Sequence, residues 1–246
     1  MDKTISDIDE AIADVEDGAM IAIAGFFSAG VPRHLLRALR KRNVKDLTLA
    51  CGSGPLLGAT EEGRALVENN QVRKIIDSYG LPRSATKGKD NPLEQKIRSG
   101  EIELEIYPMG TLAEKYRAGG AGIPAFYVKT GMGTVVAQST LSSKDEAREP
   151  KEIRTFNGEA YILETGLQPD YAFIHAHTAD TEGNLQYQKT ARNFNHVMAM
   201  AGRVTIAEAE NIVDPGEIDP NTVHTSGIFI QRLLKVDRLE FEIAID

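Results

Sequence analysis

The chain has 246 residues, a formal net charge of −8, and basic residues that are dispersed apart from a short cluster of Arg37, Arg40, Lys41 and Arg42. That balance excludes a nucleic-acid binder built on a basic stripe, because phosphate neutralisation needs concentrated positive charge. The lone Cys51 excludes an internal disulfide and a thiolate-rich zinc or iron–sulfur site within one chain. With 22 glycines, no tryptophan and 41% hydrophobic residues, the composition suits one sizeable α/β core with tight strand–helix corners, so a single domain over residues 1–246 is expected.

The N-terminal segment MDKTISDIDEAIADVEDG is acidic and amphipathic, unlike a targeting peptide. No apolar run approaches the ~18 residues of a membrane span, so a cytoplasmic protein without a membrane partner is expected. Ile8, Ala11, Ile12 and Val15 recur at helical spacing after Ser6, a candidate N-cap. The run MIAIAGF (20–26) reads as a buried strand. Gly25 and Gly30 bracket a loop, and Pro32 opens the helix RHLLRALRKR, its basic end complementing the helix dipole. Next come DLTLA leading into CGSG, the helical ALVENNQ, the strand-like VRKIIDSYG, and IELEIYP leading into Met109-Gly110 and the helix TLAEKYRA. YAFIHAH, RVTIAEAENIV and GIFIQRLL are the later apolar runs, with a helical ARNFNHVMAMAG among them. This alternation predicts an open, mostly parallel sheet with helices on both faces and glycine-rich loops at the strand C-terminal ends. The polar stretches 84–92 and 139–152 read as surface excursions, the second setting off a lid-like middle section.

In such sheets ligands lie beyond the carboxyl ends of the strands. Three glycine loops fall at that edge: Gly25 to Gly30, Gly52 to Gly54, and Gly110. One such loop serves a tight turn; three together point to a ligand site, because glycine lets backbone N–H groups approach a ligand closely. None is a nucleotide loop. GxxxxGK[ST] is missing, and GSGPLLG (52–58) lacks the dinucleotide spacing. No GxSxG nucleophile elbow occurs. His175 and His177 alternate on a strand, with Asp180 beyond; ordinary strand-end histidines are favoured over a metal site. Cys51 is favoured as a packed thiol over a nucleophile. Glu114 and Arg117, spaced i and i+3, read as a surface or interface pair.

The densest run, GTLAEKYRAGGAGIPAFY from Gly110 to Tyr127, followed by TGMGT, closely resembles the A (alpha) subunit of family I, 3-oxoacid-type CoA-transferases. DGAMIAIAGFFSAGVP (17–32), FNGEAYILE, ADTEGNLQY, ARNFNHVMAMA and AENIVDPGEIDPNTVHTSGIFIQRLL match that family in the same order, from about Asp7 to Leu234. The resemblance implies transfer of CoA from an acyl-CoA to a free carboxylate. It proceeds through a glutamyl-CoA thioester, with ping-pong kinetics. The nucleophilic Glu belongs to a B subunit, which implies no catalytic residue in this chain, no activity without the partner, and an A2B2 heterotetramer. By the same resemblance Gly25, Phe26, Gly30 and Pro32 form one wall of the substrate and CoA site, with Gly52, Ser53, Gly54, Met109 and Gly110 facing the acyl group. Coenzyme A is then a substrate, and neither a metal nor a permanently bound cofactor is required. Two positions depart from close 3-oxoacid relatives: Met109 stands where they carry Gln, and Cys51-Gly52-Ser53-Gly54 where they carry Ser-Asn-Asn. Loss of polar groups there implies an acyl group less polar or larger than acetoacetate. An acyl-CoA hydrolase on the same scaffold and a non-catalytic acyl-CoA-binding module are the alternatives.

Overall fold

The computed structural model describes residues 1–53, 60–79, 92–139, 141–144 and 150–239. The first helix is shorter than its apolar spacing predicts. It spans only Ile8–Ala11 (α1), and its N-cap is Asp7, whose carboxylate accepts from Asp9 N, rather than Ser6. From there the chain alternates as expected: β1 (Met20–Phe26), α2 (Arg33–Arg42), β2 (Leu47–Ser53), α3 (Glu61–Glu68), β3 (Val72–Asp77), α4 (Pro92–Arg98), β4 (Glu103–Ile106) and α5 (Met109–Gly120). Helix α2 buries Leu35, Leu36, Ala38 and Leu39 on one stripe and stops at Asn43, whose left-handed φ of 62° suits a helix C-cap. Its terminal cations find local partners: Lys41 pairs with Asp9, and Arg42 Nε donates to Val15 O at 2.8 Å.

The rest of the chain forms β5 (Ala125–Val128), β6 (Leu141–Ser142), β7 (Ile153–Phe156), β8 (Glu159–Thr165), β9 (Tyr171–Asp180), β10 (Leu185–Gln186), α6 (Asn195–Ala201), β11 (Val204–Val213) and β12 (Arg232–Lys235). The main sheet has the order β12-β11-β9-β1-β2-β3-β4-β6, with β10 alongside β9. All its central pairings are parallel; only β6 and β10 run antiparallel. Each face buries its own core. Helices α1 to α4 cover one face with Leu35, Leu39, Leu66 and Ile97 against Ile21, Ile23 and Phe173. Helices α5 and α6 cover the other with Leu112, Tyr116 and Met198 against Ala22, Ala50 and Ile174.

A second sheet, not anticipated from the sequence, pairs β5, β8 and β7 antiparallel. It is anchored to α5 by Lys115, which pairs with Glu164 and donates to Thr165 O at 2.8 Å. Burial pulls the Lys115 ammonium below its usual pKa, against the opposing charge of Glu164. Two glycines of the 110–127 run, Gly119 and Gly120, explain themselves by packing. A Cβ on Gly119 would lie 2.1 Å from Leu167 O, and one on Gly120 would lie 2.5 Å from Met200 O. Helix α5 therefore lies directly against two neighbouring backbones.

Strands β1 to β4 step one way across the sheet, while β9, β11 and β12 step the other, so the order reverses between β1 and β9. Their pairing stops at Ile23↔Phe173, although β9 continues to Asp180. A crevice opens at that switch point, beyond the carboxyl end of β1, where open α/β sheets hold their ligands.

Candidate active site

The crevice wall is the loop leaving β1. Gly25 has φ 124° and Gly30 φ 70°; a Cβ on Gly25 would lie 2.4 Å from Val31 Cγ2, and one on Gly30 would lie 2.7 Å from Ala191 O. Both positions therefore require glycine. Phe26 and Ala29 exchange backbone hydrogen bonds at 3.0 Å, and Phe27 N donates to Ser53 O at 3.1 Å, tying the loop to the end of β2. Pro32 is buried at the N-cap of α2. At the end of β2, Gly52 lies against the Phe194 ring, where a Cβ would stand 2.3 Å from ring carbons. Ser78 Oγ donates to Gly52 O, and Tyr116 Oη to Cys51 O at 3.1 Å.

Gly25, Phe26, Gly30 and Pro32 are thus brought together with Gly52 and Ser53. Gly54 lies outside the described residues. Met109 and Gly110 open α5 immediately after β4, at the same edge of the sheet, and among the described residues no hydrogen bond joins them to the other two loops. A Cβ on Gly110 would meet nothing within 4 Å. Phe26, Tyr79 and Met109 are exposed at 41%, 42% and 41%, and Phe27 sits edge-on to Phe26 and Tyr79 at 5.1 and 6.4 Å between centroids. Among the described residues, Phe26 and Tyr79 therefore leave an apolar, uncovered rim, and Met109 is exposed at the same edge of the sheet.

On the α2 side the crevice deepens into a cavity of about 160 Å³, lined in part by Gly30, Arg33, His175, Glu208 and Glu210. Glu208 is 1% exposed. One of its oxygens accepts from Leu35 N at 2.9 Å, and the other lies 3.0 Å from His175 Nδ1. It thereby caps α2, whose own N-cap Pro32 has no side chain to offer. Glu210 lies 3.4 Å from His175 Nε2 and 2.8 Å from His177 Nδ1. Burial alone would push the His175 imidazole down, but the hydrogen bond and charge of Glu208, with Glu210 beyond it, outweigh burial and raise its pKa. For Glu210, burial pulls the carboxyl up, while its bond to His177 and the charge of His175 bring it below the usual range.

His175 and His177 do share a face, as their alternation predicts, and each pairs with a glutamate of β11. Asp180 is engaged elsewhere, accepting from Asn184 N and Nδ2 at 2.9 and 2.8 Å. Among the described residues no cluster of three or more His, Cys, Asp or Glu is placed to hold a metal ion. Cys51 is fully buried, and burial together with the nearby Asp77 charge pushes its thiol well up, so it is a packed thiol. Arg117 Nε donates to Glu114 at 2.9 Å on the surface of α5, the pair expected from their spacing. Glu208, Glu210, Asn193 and Asn195 were not picked out from the sequence. The alternating glutamates in an otherwise apolar β11 were the available signal.

The coenzyme A transferase family model matches residues 5–235. The chain belongs to that family. It is 47% identical over 234 residues to the A subunit of succinyl-CoA:3-ketoacid coenzyme A transferase from Xanthomonas campestris pv. campestris, covering 94% of this chain and 88% of that one. The Helicobacter pylori counterpart is 41% identical over 241 residues, covering 98% and 95%. Among solved structures, the acyl-CoA transferase YdiF of Escherichia coli O157:H7 superposes with a TM-score of 0.79 at 20% identity, covering 96% of this chain. This chain spans about half of YdiF, covering 47% of it. Glutaconate coenzyme A-transferase of Acidaminococcus fermentans superposes with a TM-score of 0.77 at 21% identity, covering 96% of this chain and 76% of that one. These superpositions show a shared fold: the mostly parallel α/β sheet belongs to CoA-transferases. No helix among the described residues is long and apolar enough to cross a membrane.

Proposed function

We propose that this chain is the A half of a heteromeric CoA-transferase, with its crevice completed by a B-type partner in an A2B2 assembly. The observation that carries this is the set of exposed apolar side chains, Phe26, Tyr79 and Met109, that the described residues leave at the glycine-walled edge of the sheet. Exposed apolar groups gathered at a ligand edge are suited to burial by a partner and an acyl chain. The partner's glutamate attacks the acyl-CoA carbonyl and expels CoA thiolate, leaving a mixed acyl–glutamyl anhydride. The thiolate then attacks the glutamyl carbonyl, releasing the donor carboxylate and leaving the glutamyl-CoA thioester. An acceptor carboxylate runs the same two steps in reverse and leaves as the new acyl-CoA. Gly25 to Pro32, Gly52 to Gly54 and Met109-Gly110 bind and orient the substrate, with backbone N–H groups offered to developing negative charge.

Met109 and the glycine-rich β2 end lack the hydrogen-bonding side chains that would read a 3-oxo group, so the preferred acyl group is less polar or larger than acetoacetate. The test is to co-express the chain with a B-type partner and assay transfer to a panel of carboxylates. Transfer by the pair with ping-pong kinetics, favouring the less polar acids, is expected. Transfer by this chain alone would overturn the split site. Release of acid and CoA without an acceptor would assign a hydrolase, and a best pair of acetoacetate and succinate would overturn the substrate assignment.

A further inference from the structure

The loop that walls the crevice is held from the α6 side through its carbonyls. Asn195 is 0% exposed and ties the loop to both β9 and the turn before α6. Its Oδ1 accepts from His175 N at 2.8 Å, and its Nδ2 donates to Gly30 O at 2.9 Å and to Ala191 O at 2.7 Å. Asn193 Nδ2 donates to Ala29 O at 3.0 Å and to Thr190 O at 2.8 Å. Two consecutive carbonyls of the loop, Ala29 and Gly30, therefore point toward the segment that leads into α6.

In a planar trans peptide the N–H points opposite to its C=O. The N–H groups of Gly30 and Val31 are accordingly turned away from Asn193 and Asn195. Gly30 and Val31 also line the cavity, together with Arg33, His175 and Glu208. Neither N–H donates to another group among the described residues. Two adjacent free donors at the mouth of a helix-capped cavity form a concavity suited to an oxygen that gains negative charge. The glutamates of that cavity do not compete for the donors, since Glu208 is bonded to Leu35 N and His175, and Glu210 to both histidines.

We propose that Asn195, seconded by Asn193, is a positioning residue for the transfer reaction: it fixes the orientation of the Gly30 and Val31 peptides so that their N–H groups face the substrate. The role rests on the transferase function proposed above, but the clamp itself is a property of this chain alone. Asn195→Asp is the informative variant. An ionised carboxylate has no N–H or O–H for Gly30 O or Ala191 O, whereas the protonated acid can donate once. Burial raises the pKa of such a carboxyl, bringing its protonation into an accessible range.

In the chain by itself, the hydrogen-bonded amides of Phe27 and Ala29 are expected to exchange at least about tenfold faster in Asn195→Asp and Asn193→Ala than in wild type. In the complex with its B-type partner, kcat is expected to fall by about tenfold or more at pH 8 while KM for acyl-CoA moves less than about threefold. For Asn195→Asp the lost kcat returns as pH falls, a recovery that wild type and Asn193→Ala do not share. Unchanged loop exchange would overturn the clamp, and wild-type kcat with accelerated exchange would overturn its role in the reaction. If Asn195→Asp does not fold, Asn193→Ala carries the exchange and kcat readouts. If the wild-type complex transfers no CoA, the transferase assignment fails, and the exchange measurement still decides whether the clamp exists.

Discussion

Replacing Glu208 by glutamine or by alanine separates the two jobs its carboxylate performs. In wild type one oxygen caps α2 through Leu35 N at 2.9 Å, and the other partners His175 Nδ1 at 3.0 Å. Alanine removes both, leaving Leu35 N without its acceptor and a half-buried His175 with only the longer Glu210 contact at 3.4 Å. Breaking a buried charge pair from one side costs about 3–5 kcal/mol when the remaining charge has no other partner. With Glu210 still facing His175, the lower end, about 3 kcal/mol, is expected for Glu208→Ala near pH 6. Glutamine keeps an oxygen for Leu35 N but has no charge for His175, so its expected cost there is about 1–2 kcal/mol. The pH dependence follows from the raised pKa of His175. A group with a raised folded-state pKa stabilises fully below its unfolded value, near 6.5 for histidine, and loses that contribution as pH rises through the folded value. The cost of Glu208→Gln should therefore shrink as pH climbs above that window, while the alanine variant retains the part due to the lost cap. Urea unfolding of the three proteins from pH 6 to pH 9 measures this directly. Equal costs for the two variants, or a glutamine cost that does not change with pH, would refute the assignment of two separate roles.

Other outcomes follow from single contacts. Gly119→Ala would place a Cβ 2.1 Å from Leu167 O, and since backbone cannot yield like a flexible side chain, a loss of about 3 kcal/mol or more in urea unfolding is expected. Cys51, buried with its thiol pushed up, should react with an alkylating reagent only at the rate of unfolding; fast labelling of the native chain would contradict its burial. Met109→Gln should raise the kcat/KM ratio of a 3-oxo acid to an unsubstituted acid by about tenfold, measured in the complex, if Met109 faces the acyl group.

Much of this architecture is written in local pattern. The run MIAIAGF is β1, and RHLLRALRKR is α2 residue for residue, because a continuous apolar run and a helical apolar stripe each admit one buried arrangement. The glycine loops at the carboxyl edge were legible for a related reason: Gly25 and Gly30 both adopt φ values that other residues rarely take. The small sheet was not legible. All four residues of β7 are exposed and β5 is only half-buried, so neither shows the apolar alternation that marks a strand against a core. The boundaries of α1 and α6 also moved. Asp7 rather than Ser6 caps α1, and a 3₁₀ turn at Lys189–Arg192 precedes α6, with the non-helical backbone of Asn193 (φ 11°, ψ −113°) breaking the two apart. Glu208 and Asn195 escaped notice for one reason: their partners, Leu35, His175 and Gly30, are distant in sequence and meet only once the sheet reverses direction between β1 and β9.

The central claim is that this chain supplies half of a site whose nucleophile lies on another polypeptide. Intact-mass measurement of both polypeptides after brief incubation of the complex with an acyl-CoA tests it most directly. The mass of CoA, less one water, should appear on the partner alone, and this chain should keep its unmodified mass and transfer no CoA by itself. A CoA adduct on this chain, or transfer in the absence of the partner, would contradict it.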